Sequence, residues 1–406
     1  MTRPPRNSFS PATDLTSMHR SHRQVLNKNK VVNPPIYRAS TFLFDRYEDM
    51  NARFTRENGE RYPYGLYGTD TVRQLEEMVA HLEATDSAVA TGSGMSACAI
   101  PFLTFVAAGD HVLITDSVYG PVRSLAKNQL TRLGVNVEYF DPLATPDDLE
   151  ILVRANTRMI YLESPGSVTF EIQDVKGIAA LARSKGILTA IDNTWATPLH
   201  YQPAQYGVDL VIHAATKYIA GASDLLMGVV AGPHDLVAKM AQAQGEYGFY
   251  ANPTDAFDCI KGLRSLAVRM PTHLASSQIV AAHLKQQQEI AAILHPALDT
   301  DLMNQRYIAQ GFNGGGGLFG AIFDPTISEQ FVARFANALR LFGMGYSWGG
   351  FESLISAQQP KKIRTASQWP RAGLPDGVFL RFNIGLEAPK DLCRDIDQAL
   401  DIARKS

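Results

Sequence analysis

The run Ile187-Leu-Thr-Ala-Ile-Asp-Asn-Thr-Trp195 decides the fold, because a short apolar segment ends there at an aspartate and continues into polar residues. A second run of the same kind, Leu210-Val-Ile-His-Ala-Ala-Thr-Lys-Tyr218, follows later in the chain. Short segments that are apolar throughout are typical of strands buried on both faces of a parallel sheet. The two runs therefore predict two such strands, with Asp192 and Lys217 at or just after their carboxyl ends.

Five more segments of this type accompany the two runs. The seven strand candidates are Ser87–Ala90, His111–Thr115, Val135–Tyr139, Met159–Glu163, Leu188–Ile191, Leu210–His213 and Gly228–Ala231. Apolar residues at helical spacing precede the first of them, beginning with Leu75, Met78 and Val79, and the connections are long enough for crossover helices. Strands that alternate with helices predict an α/β domain over residues 69–265, with a mostly parallel seven-stranded sheet and helices on both faces.

The segments on either side of this domain have different patterns. Residues 1–68 show little periodicity, so we interpret them as an extended arm that contacts a neighbouring subunit. Pro4, Pro5 and Pro11 argue against a helix near the start of this arm.

Residues 266–406 predict a smaller C-terminal α+β domain. This part contains a helical stretch from His273 to Leu294, a glycine turn at Gly314–Gly317, and strand-like pieces at Leu318–Phe323 and Val378–Ile384.

Composition and charge argue against several functional classes. The 406 residues are 45% hydrophobic and carry a formal net charge of −2, which gives no basic field for nucleic acid. The most apolar stretch, Ala97 to Ala108, is too short to span a bilayer. The three cysteines are an odd, widely separated set that suits neither a disulfide framework nor a metal site. We therefore expect a cytoplasmic, metal-free protein without nucleic acid or membrane partners.

Polar residues that directly follow the strands are the candidate ligands, because open parallel sheets bind ligands at the carboxyl ends of their strands. Asp192, Lys217 and the run Gly94-Met95-Ser96 occupy such positions. Pyridoxal 5′-phosphate needs a lysine that binds it covalently, a carboxylate that keeps its ring nitrogen protonated, and backbone amides for its phosphate. These residues, aided by the Thr216 hydroxyl, therefore predict a pyridoxal phosphate site.

A rival interpretation uses the same glycines. Gly92-x-Gly94-x-x-Ala97 satisfies the dinucleotide fingerprint, and Asp116 follows the next strand candidate, as in an NAD-dependent dehydrogenase. That interpretation leaves Asp192 and Lys217 without a role, so it is the weaker one. An inactive scaffold with this fold is a further alternative, because fold alone does not determine function.

Four runs carry a family resemblance: Leu162-Glu-Ser-Pro-Gly166, Ile191-Asp-Asn-Thr-Trp195, Ala214-Ala-Thr-Lys-Tyr218 and Tyr346-Ser-Trp-Gly-Gly-Phe-Glu-Ser-Leu354. In order and spacing they resemble the Cys/Met-metabolism group of fold type I pyridoxal phosphate enzymes, and within it the bacterial β-lyases. The likeness extends from about Val31 to the C-terminus. It implies the fold type I transferase-like architecture and the cofactor roles of Lys217, Asp192, Gly94 and Met95.

The resemblance also implies roles for residues that pattern alone would leave in the core or on the surface. Tyr119 matches a tyrosine that stacks on the cofactor ring, and Arg381 matches an arginine that binds the substrate α-carboxylate. Ser347 is expected to orient Lys217, and Trp348 to shape the substrate pocket.

Tyr64 matches a tyrosine that reaches the cofactor phosphate of a neighbouring subunit, which implies a homotetramer built as a dimer of dimers. Two departures affect the same phosphate, because Leu66 stands where many relatives have an arginine and Ala214 where several have a serine. The phosphate is then held with fewer donors, or by a substitute such as Arg61.

The implied reaction is β-elimination at the carbon–sulfur bond of L-cystathionine, which gives homocysteine, pyruvate and ammonia in methionine biosynthesis. Other cysteine S-conjugates are expected substrates too. Trp348 favours this activity, because the run Tyr-Ser-Trp-Gly-Gly is typical of bacterial β-lyases. A γ-lyase or γ-synthase is the alternative, since those enzymes share the lysine, aspartate and arginine.

Overall fold

The seven predicted strands form one sheet in the structure, a computed structural model that describes residues 11–17, 32–51 and 63–405. They are β1 Ser87–Thr91, β2 His111–Thr115, β3 Asn136–Phe140, β4 Thr157–Glu163, β5 Leu188–Asp192, β6 Leu210–His213 and β7 Gly228–Gly232. The order across the sheet is β3-β2-β4-β5-β6-β7-β1. Strand β7 is antiparallel to both of its neighbours, and the other pairs are parallel. The predicted mostly parallel seven-stranded sheet is confirmed.

Helices pack on both faces of this sheet. The helices in this part of the chain are α1 Pro11–Ser17, α2 Tyr47–Asn51, α3 Asp70–Leu82, α4 Gly94–Phe105, α5 Gly120–Leu125, α6 Pro146–Leu152, α7 Val175–Lys185, α8 Thr197–His200, α9 His234–Glu246 and α10 Pro253–Lys285. The alternation along β4 shows the two faces: Met159 and Tyr161 pack in a cluster with α4 and α9, whereas Ile160 and Leu162 pack in one with α7. Within the described ranges, no helix has the length and apolar character needed to cross a membrane.

A second, smaller sheet follows, which confirms the predicted second unit with its own strands and helices. Its strands are β8 Ile290–Leu294, β9 Leu318–Phe323, β10 Gly343–Met344, β11 Leu354–Gln358 and β12 Phe379–Asn383, in the order β10-β11-β12-β9-β8. Helices α11 Asn304–Gln310, α12 Glu329–Ala338 and α13 Pro389–Lys405 accompany it. The stacked rings of Phe319 and Phe382, with centroids 5.3 Å apart, lie in its core.

The helical stretch predicted from His273 to Leu294 was wrong at both ends. Helix α10 begins at Pro253 and contains Pro271, and it ends at Lys285. Ile290–Leu294 is strand β8, which pairs with β9. The reason is that periodicity cannot distinguish a short apolar strand from a buried helical turn. Because α10 crosses residue 265, the division into domains at that position stays a prediction.

The arm also departs from expectation at its start. Residues Pro11–Ser17 form helix α1, which contacts α10, and Leu15 is buried with 1% of its surface exposed. Pro11 does not prevent this helix because proline is tolerated at the first helical position. Further along, the Thr71 hydroxyl donates to the Pro35 carbonyl and accepts from the Tyr37 amide, each at 2.9 Å, so this part of the arm is tied to α3.

Candidate active site

The carboxyl ends of β4, β5 and β6 meet at one edge of the larger sheet. Glu163 and Asp192 are register partners at the ends of β4 and β5, and Lys217 lies in the loop that follows β6. A cavity of about 260 Å³ opens at this edge. The predicted site residues that line it are Gly94, Met95, Tyr119, Asp192, Thr216, Lys217, Trp348 and Arg381.

Lys217 is held by the turn that precedes β11. Its Nζ donates a hydrogen bond to Ser347 Oγ at 2.6 Å and lies 5.2 Å from the ring centroid of Trp348. Burial lowers the pKa of Lys217 to about 8, and the nearby positive charge of Arg381 acts in the same direction. The amine is still mostly protonated at neutral pH, but it loses its proton much more readily than an ordinary lysine, which suits a nucleophile or a base.

The Ser347–Gly349 turn packs directly on the main chain of Lys217. Ser347 has a φ of 78° and Gly349 a φ of 83°. A Cβ at Gly349 would lie 2.9 Å from the Tyr218 nitrogen and 3.2 Å from the Lys217 carbonyl carbon, so only glycine fits there. The left-handed backbone at Ser347 costs free energy, which is typical of residues held in place for function.

Asp192 presents its carboxylate to the cavity at the end of β5. Its Oδ1 accepts a hydrogen bond from the Thr194 amide at 2.9 Å, and its Oδ2 accepts one from Cys98 Sγ at 3.7 Å. One oxygen is thus fixed by the loop that follows the strand, while the thiol contacts the other. This geometry suits a carboxylate that binds a protonated ring nitrogen.

The N-terminus of α4 also lines the cavity. The Ser93 side chain caps the helix by accepting from the Ser96 amide at 3.1 Å. The amides of Gly94 and Met95 lie in the first turn, where helix amides have no intrahelical partner and attract anions. A Cβ at Gly94 would lie 2.6 Å from the Ala214 Cβ, so the glycine is required for this close approach.

The Thr216 side chain lines the cavity and binds the main chain of Met227. Its hydroxyl donates to the Met227 carbonyl at 3.2 Å and accepts from the Met227 amide at 3.0 Å. The hydroxyl proton is therefore used to hold the loop that carries Lys217. A contact between Thr216 and the phosphate stays a prediction.

Arg381 reaches the cavity from β12 of the smaller sheet. Its Nη2 donates to the Ser347 carbonyl at 3.3 Å, so the same turn holds Lys217 and Arg381. Burial lowers the pKa of Arg381 to about 10, which still leaves a cation at neutral pH. A guanidinium in this position can bind a carboxylate with two hydrogen bonds.

The glycine run Gly314–Gly317 has a specific packing role. A Cβ at Gly315 would lie 2.4 Å from the Trp195 ring, and one at Gly316 would lie 2.2 Å from the Tyr218 hydroxyl. That hydroxyl also accepts from the Gly317 amide at 2.6 Å. The run therefore lies against the residues that follow Asp192 and Lys217 in the chain.

Asp116 does not support the dinucleotide interpretation. Its buried carboxylate accepts hydrogen bonds from Arg123 and from the amides of Thr365, Ala366 and Ser367. These partners lower the pKa of Asp116 and occupy the oxygens that a ribose would need. Its function in this fold is to anchor the 365–367 loop to the larger sheet.

Tyr64 lies outside the cavity. It forms an isolated bridge with Thr41, and half of its surface is exposed. The expected contact with the phosphate of a neighbouring subunit stays a prediction. Arg61, the substitute considered for the missing arginine at Leu66, lies outside the described residues.

Sequence reasoning missed Glu163 as a site residue, although the run Leu162-Glu-Ser-Pro-Gly166 placed it at the end of a strand. Its carboxylate lines the cavity, and its Oε2 accepts from the Tyr119 amide at 2.6 Å. The available signal was its position, because Glu163 ends β4 as Asp192 ends β5.

This set of groups fits pyridoxal 5′-phosphate. A lysine with a lowered pKa, a carboxylate at a strand end and a glycine-lined helix N-terminus surround one cavity. These are the groups that the cofactor's carbonyl carbon, ring nitrogen and phosphate require.

Comparison with known proteins agrees with this geometry. The sequence profile of the family described as "Cys/Met metabolism PLP-dependent enzyme" matches residues 15–401. A cystathionine beta-lyase of Bordetella avium is 37% identical over 377 residues, which are 92% of each chain. An L-alanine/L-glutamate racemase of Wolbachia pipientis is 36% identical over 382 residues, 91% of this chain and 92% of that protein. The crystal structure of a cystathionine gamma synthase from Xanthomonas oryzae pv. oryzae superposes with a TM-score of 0.86 at 28% identity, over 98% of this chain and 100% of that one.

Proposed function

Because this chain belongs to the Cys/Met metabolism family of pyridoxal phosphate-dependent enzymes, we propose that it is a cystathionine β-lyase. The family and its named relatives make it a carbon–sulfur lyase or a related enzyme whose cofactor is pyridoxal 5′-phosphate. The proposed reaction converts L-cystathionine and water into homocysteine, pyruvate and ammonia. Its product homocysteine is a methionine precursor, and other cysteine S-conjugates would be cleaved in the same way.

The observation that carries this proposal is the Ser347–Trp348 turn against Lys217. When bound, the cofactor withdraws electrons from the substrate Cα and so makes its proton acidic. Arg381 binds the α-carboxylate, which orients the Cα–H bond towards the Lys217 amine. Lys217 Nζ takes the proton, and Ser347 Oγ, 2.6 Å away, keeps that nitrogen in place. The Cβ–S bond then breaks, and its electron pair leaves on the sulfur.

Trp348 favours β-elimination over the γ reaction. Elimination at Cγ requires the lysine amine to remove a proton from Cβ as well as from Cα, so the amine must travel. The Trp348 ring packs between two neighbours. Its centroid is 5.2 Å from Lys217 Nζ and 5.4 Å from the centroid of the Tyr218 ring. A bulky indole at this position restricts such travel. The γ-lyase or γ-synthase is the second candidate, supported by the likeness to the Xanthomonas enzyme.

The proposal includes a homotetramer, in which the arm and Tyr64 contact a neighbouring subunit. The arm supports this assembly because it exposes large apolar side chains, with Leu43 90% exposed and Tyr47 69% exposed. A cytoplasmic location is part of the same proposal. The thiols of Cys98, Cys259 and Cys393 are all free, as expected in a reducing compartment.

Two substrates separate the candidates, because one joins sulfur to the amino-acid chain only at Cβ and the other only at Cγ. With S-ethyl-L-cysteine, a β-lyase releases pyruvate and ethanethiol; with L-methionine, a γ-lyase releases 2-oxobutyrate and methanethiol. We expect pyruvate from the first and little 2-oxobutyrate from the second, with Lys217→Ala inactive on both. Preferential turnover of L-methionine would overturn the proposal. Conversion of L-alanine to D-alanine without thiol release from either substrate would instead favour a racemase like the Wolbachia relative.

A further inference from the structure

Glu163 is a cavity residue to which the proposed chemistry gives no role. It ends β4 beside Asp192, so two carboxyl groups stand next to each other at adjacent strand ends. Two ionised carboxylates this close repel each other, so a negative charge on Glu163 beside Asp192 is unfavourable. The contacts of Glu163 indicate its function.

Glu163 holds the main chain of Tyr119. Its Oε2 accepts the Tyr119 amide proton at 2.6 Å, which is short for a hydrogen bond from an amide. Tyr119 is the N-cap residue of α5 and has no side-chain capping bond. Its φ of −46° and ψ of 128° turn the chain from β2 into α5 at this position. The direction of the phenol ring therefore depends on where this amide is held.

We propose that Glu163 is a positioning residue. It accepts a hydrogen bond from the main-chain amide of Tyr119 and thereby fixes the aromatic ring that faces the cofactor. This inference rests on the proposed role of Tyr119 at the cofactor ring. Glu163 acts through Tyr119 and does not touch the reacting atoms. Its own main chain is held from the other side, because its amide donates to the Gln173 side chain at 3.3 Å.

The charge state of Glu163 decides which substitutions test the proposal. Burial raises the pKa of Glu163 well above its usual range, and the negative charge of Asp192 acts in the same direction. A neutral carboxyl group still offers a carbonyl oxygen to the Tyr119 amide. Glutamine reproduces that oxygen without a charge, whereas alanine removes it. The pair Glu163→Gln and Glu163→Ala therefore separates the hydrogen bond from the charge.

The first measurement is the visible circular dichroism of the bound cofactor, which reports the asymmetry around its ring and needs no substrate. We expect Glu163→Ala to lose at least half of this signal per bound cofactor and Glu163→Gln to keep it. Glu138→Ala is the matched control, because Glu138 is a strand glutamate that pairs with Arg154 and His111 outside the cavity. A wild-type signal in Glu163→Ala, or an equal loss in Glu163→Gln, would overturn the inference.

A double-mutant cycle then tests whether the effect passes through Tyr119. With S-ethyl-L-cysteine, Glu163→Ala should lower kcat/KM about tenfold in the wild-type background and less than about twofold in Tyr119→Ala, because coupled residues are not additive. Equal losses in both backgrounds would contradict positioning through Tyr119. If Glu163→Ala does not fold, Glu163→Asp shortens the reach to the amide and should give the same pattern. An enzyme that lacks lyase activity but shows the expected dichroism would disprove the proposed function alone.

Discussion

The substitution Gly94→Ala adds one methyl group at a close contact between the N-terminus of α4 and the loop before Lys217. Its Cβ would lie 2.6 Å from the Ala214 Cβ and 3.1 Å from the Ala214 Cα. Carbon atoms do not approach so closely, so either the first turn of α4 or the loop before Lys217 must move. Overpacking of this kind costs about 1–3 kcal/mol. Either movement displaces the Gly94 and Met95 amides, which are proposed to bind the phosphate, relative to Lys217. If the apoenzyme relaxes and cofactor binding restores the strained contact, pyridoxal phosphate binds up to about 5- to 150-fold more weakly, since about 1.4 kcal/mol corresponds to a factor of ten.

Titration of the apoenzyme with pyridoxal phosphate, followed by visible absorbance, measures this affinity. Gly120→Ala is the matched control, because a Cβ at Gly120 meets no atom within 4 Å. Ala214→Gly in the Gly94→Ala background removes the 2.6 Å contact and leaves the one at 3.1 Å, so the affinity should recover in part. Wild-type affinity in Gly94→Ala, or no recovery in the double variant, would refute this explanation of the glycine.

Three further predictions concern Lys217, Asp116 and Trp348. Binding of the cofactor to the apoenzyme needs the neutral Lys217 amine, whose pKa is lowered to about 8. The rate of cofactor binding, measured by stopped flow, should therefore rise with pH and level off above about pH 8. A rise that continues past about pH 10, as an ordinary lysine would give, contradicts this prediction. The pKa of Asp116 is lowered on folding, so its carboxylate stabilises the protein above the unfolded pKa and that stability is lost as the pH falls through the folded pKa. Asp116→Asn should therefore lower the free energy of unfolding by about 3 kcal/mol at pH 7, with a smaller difference below about pH 4, as measured by denaturant titration. Trp348→Ala should raise the ratio of 2-oxobutyrate to pyruvate formed from L-cystathionine, and an unchanged ratio would remove Trp348 from the choice of reaction.

Much of the larger sheet could be predicted because buried parallel strands are short, apolar and bounded by turns. The strand ending at Asp192 and the one before Lys217 were found for this reason, within one residue of their observed ends. The order of the strands depends on tertiary packing and carries no local signal. The antiparallel direction of β7 could not be predicted from the sequence for the same reason.

The limits of local patterns are clearest at helix α1 and strand β8. Pro11 was weighed as a helix breaker, but its position at the first residue of α1 removes the penalty. Ile290–Leu294 continued an apolar pattern after α10 and yet forms strand β8, because its partner β9 lies elsewhere in the sequence.

At the site, the residues proposed to carry the chemistry have a clearer signal in the sequence than the residue proposed to position one of them. Lys217, Asp192 and Gly94 have side chains or backbones whose chemistry points to the cofactor. The position of Glu163 at a strand end could have indicated a site residue, but its hydrogen bond to the main chain of Tyr119 has no signal in the sequence. Asp116 was misleading for the same reason, since the loop that occupies its carboxylate comes from far along the chain.

Cleavage of L-cystathionine tests the central claim most directly, because this substrate carries a Cβ–S and a Cγ–S bond on the same sulfur atom. The measurement is the ratio of pyruvate plus homocysteine to 2-oxobutyrate plus cysteine, formed by the enzyme saturated with pyridoxal phosphate. We predict that pyruvate and homocysteine appear in equal amounts and dominate the products. A predominance of 2-oxobutyrate and cysteine would contradict β-elimination at this site.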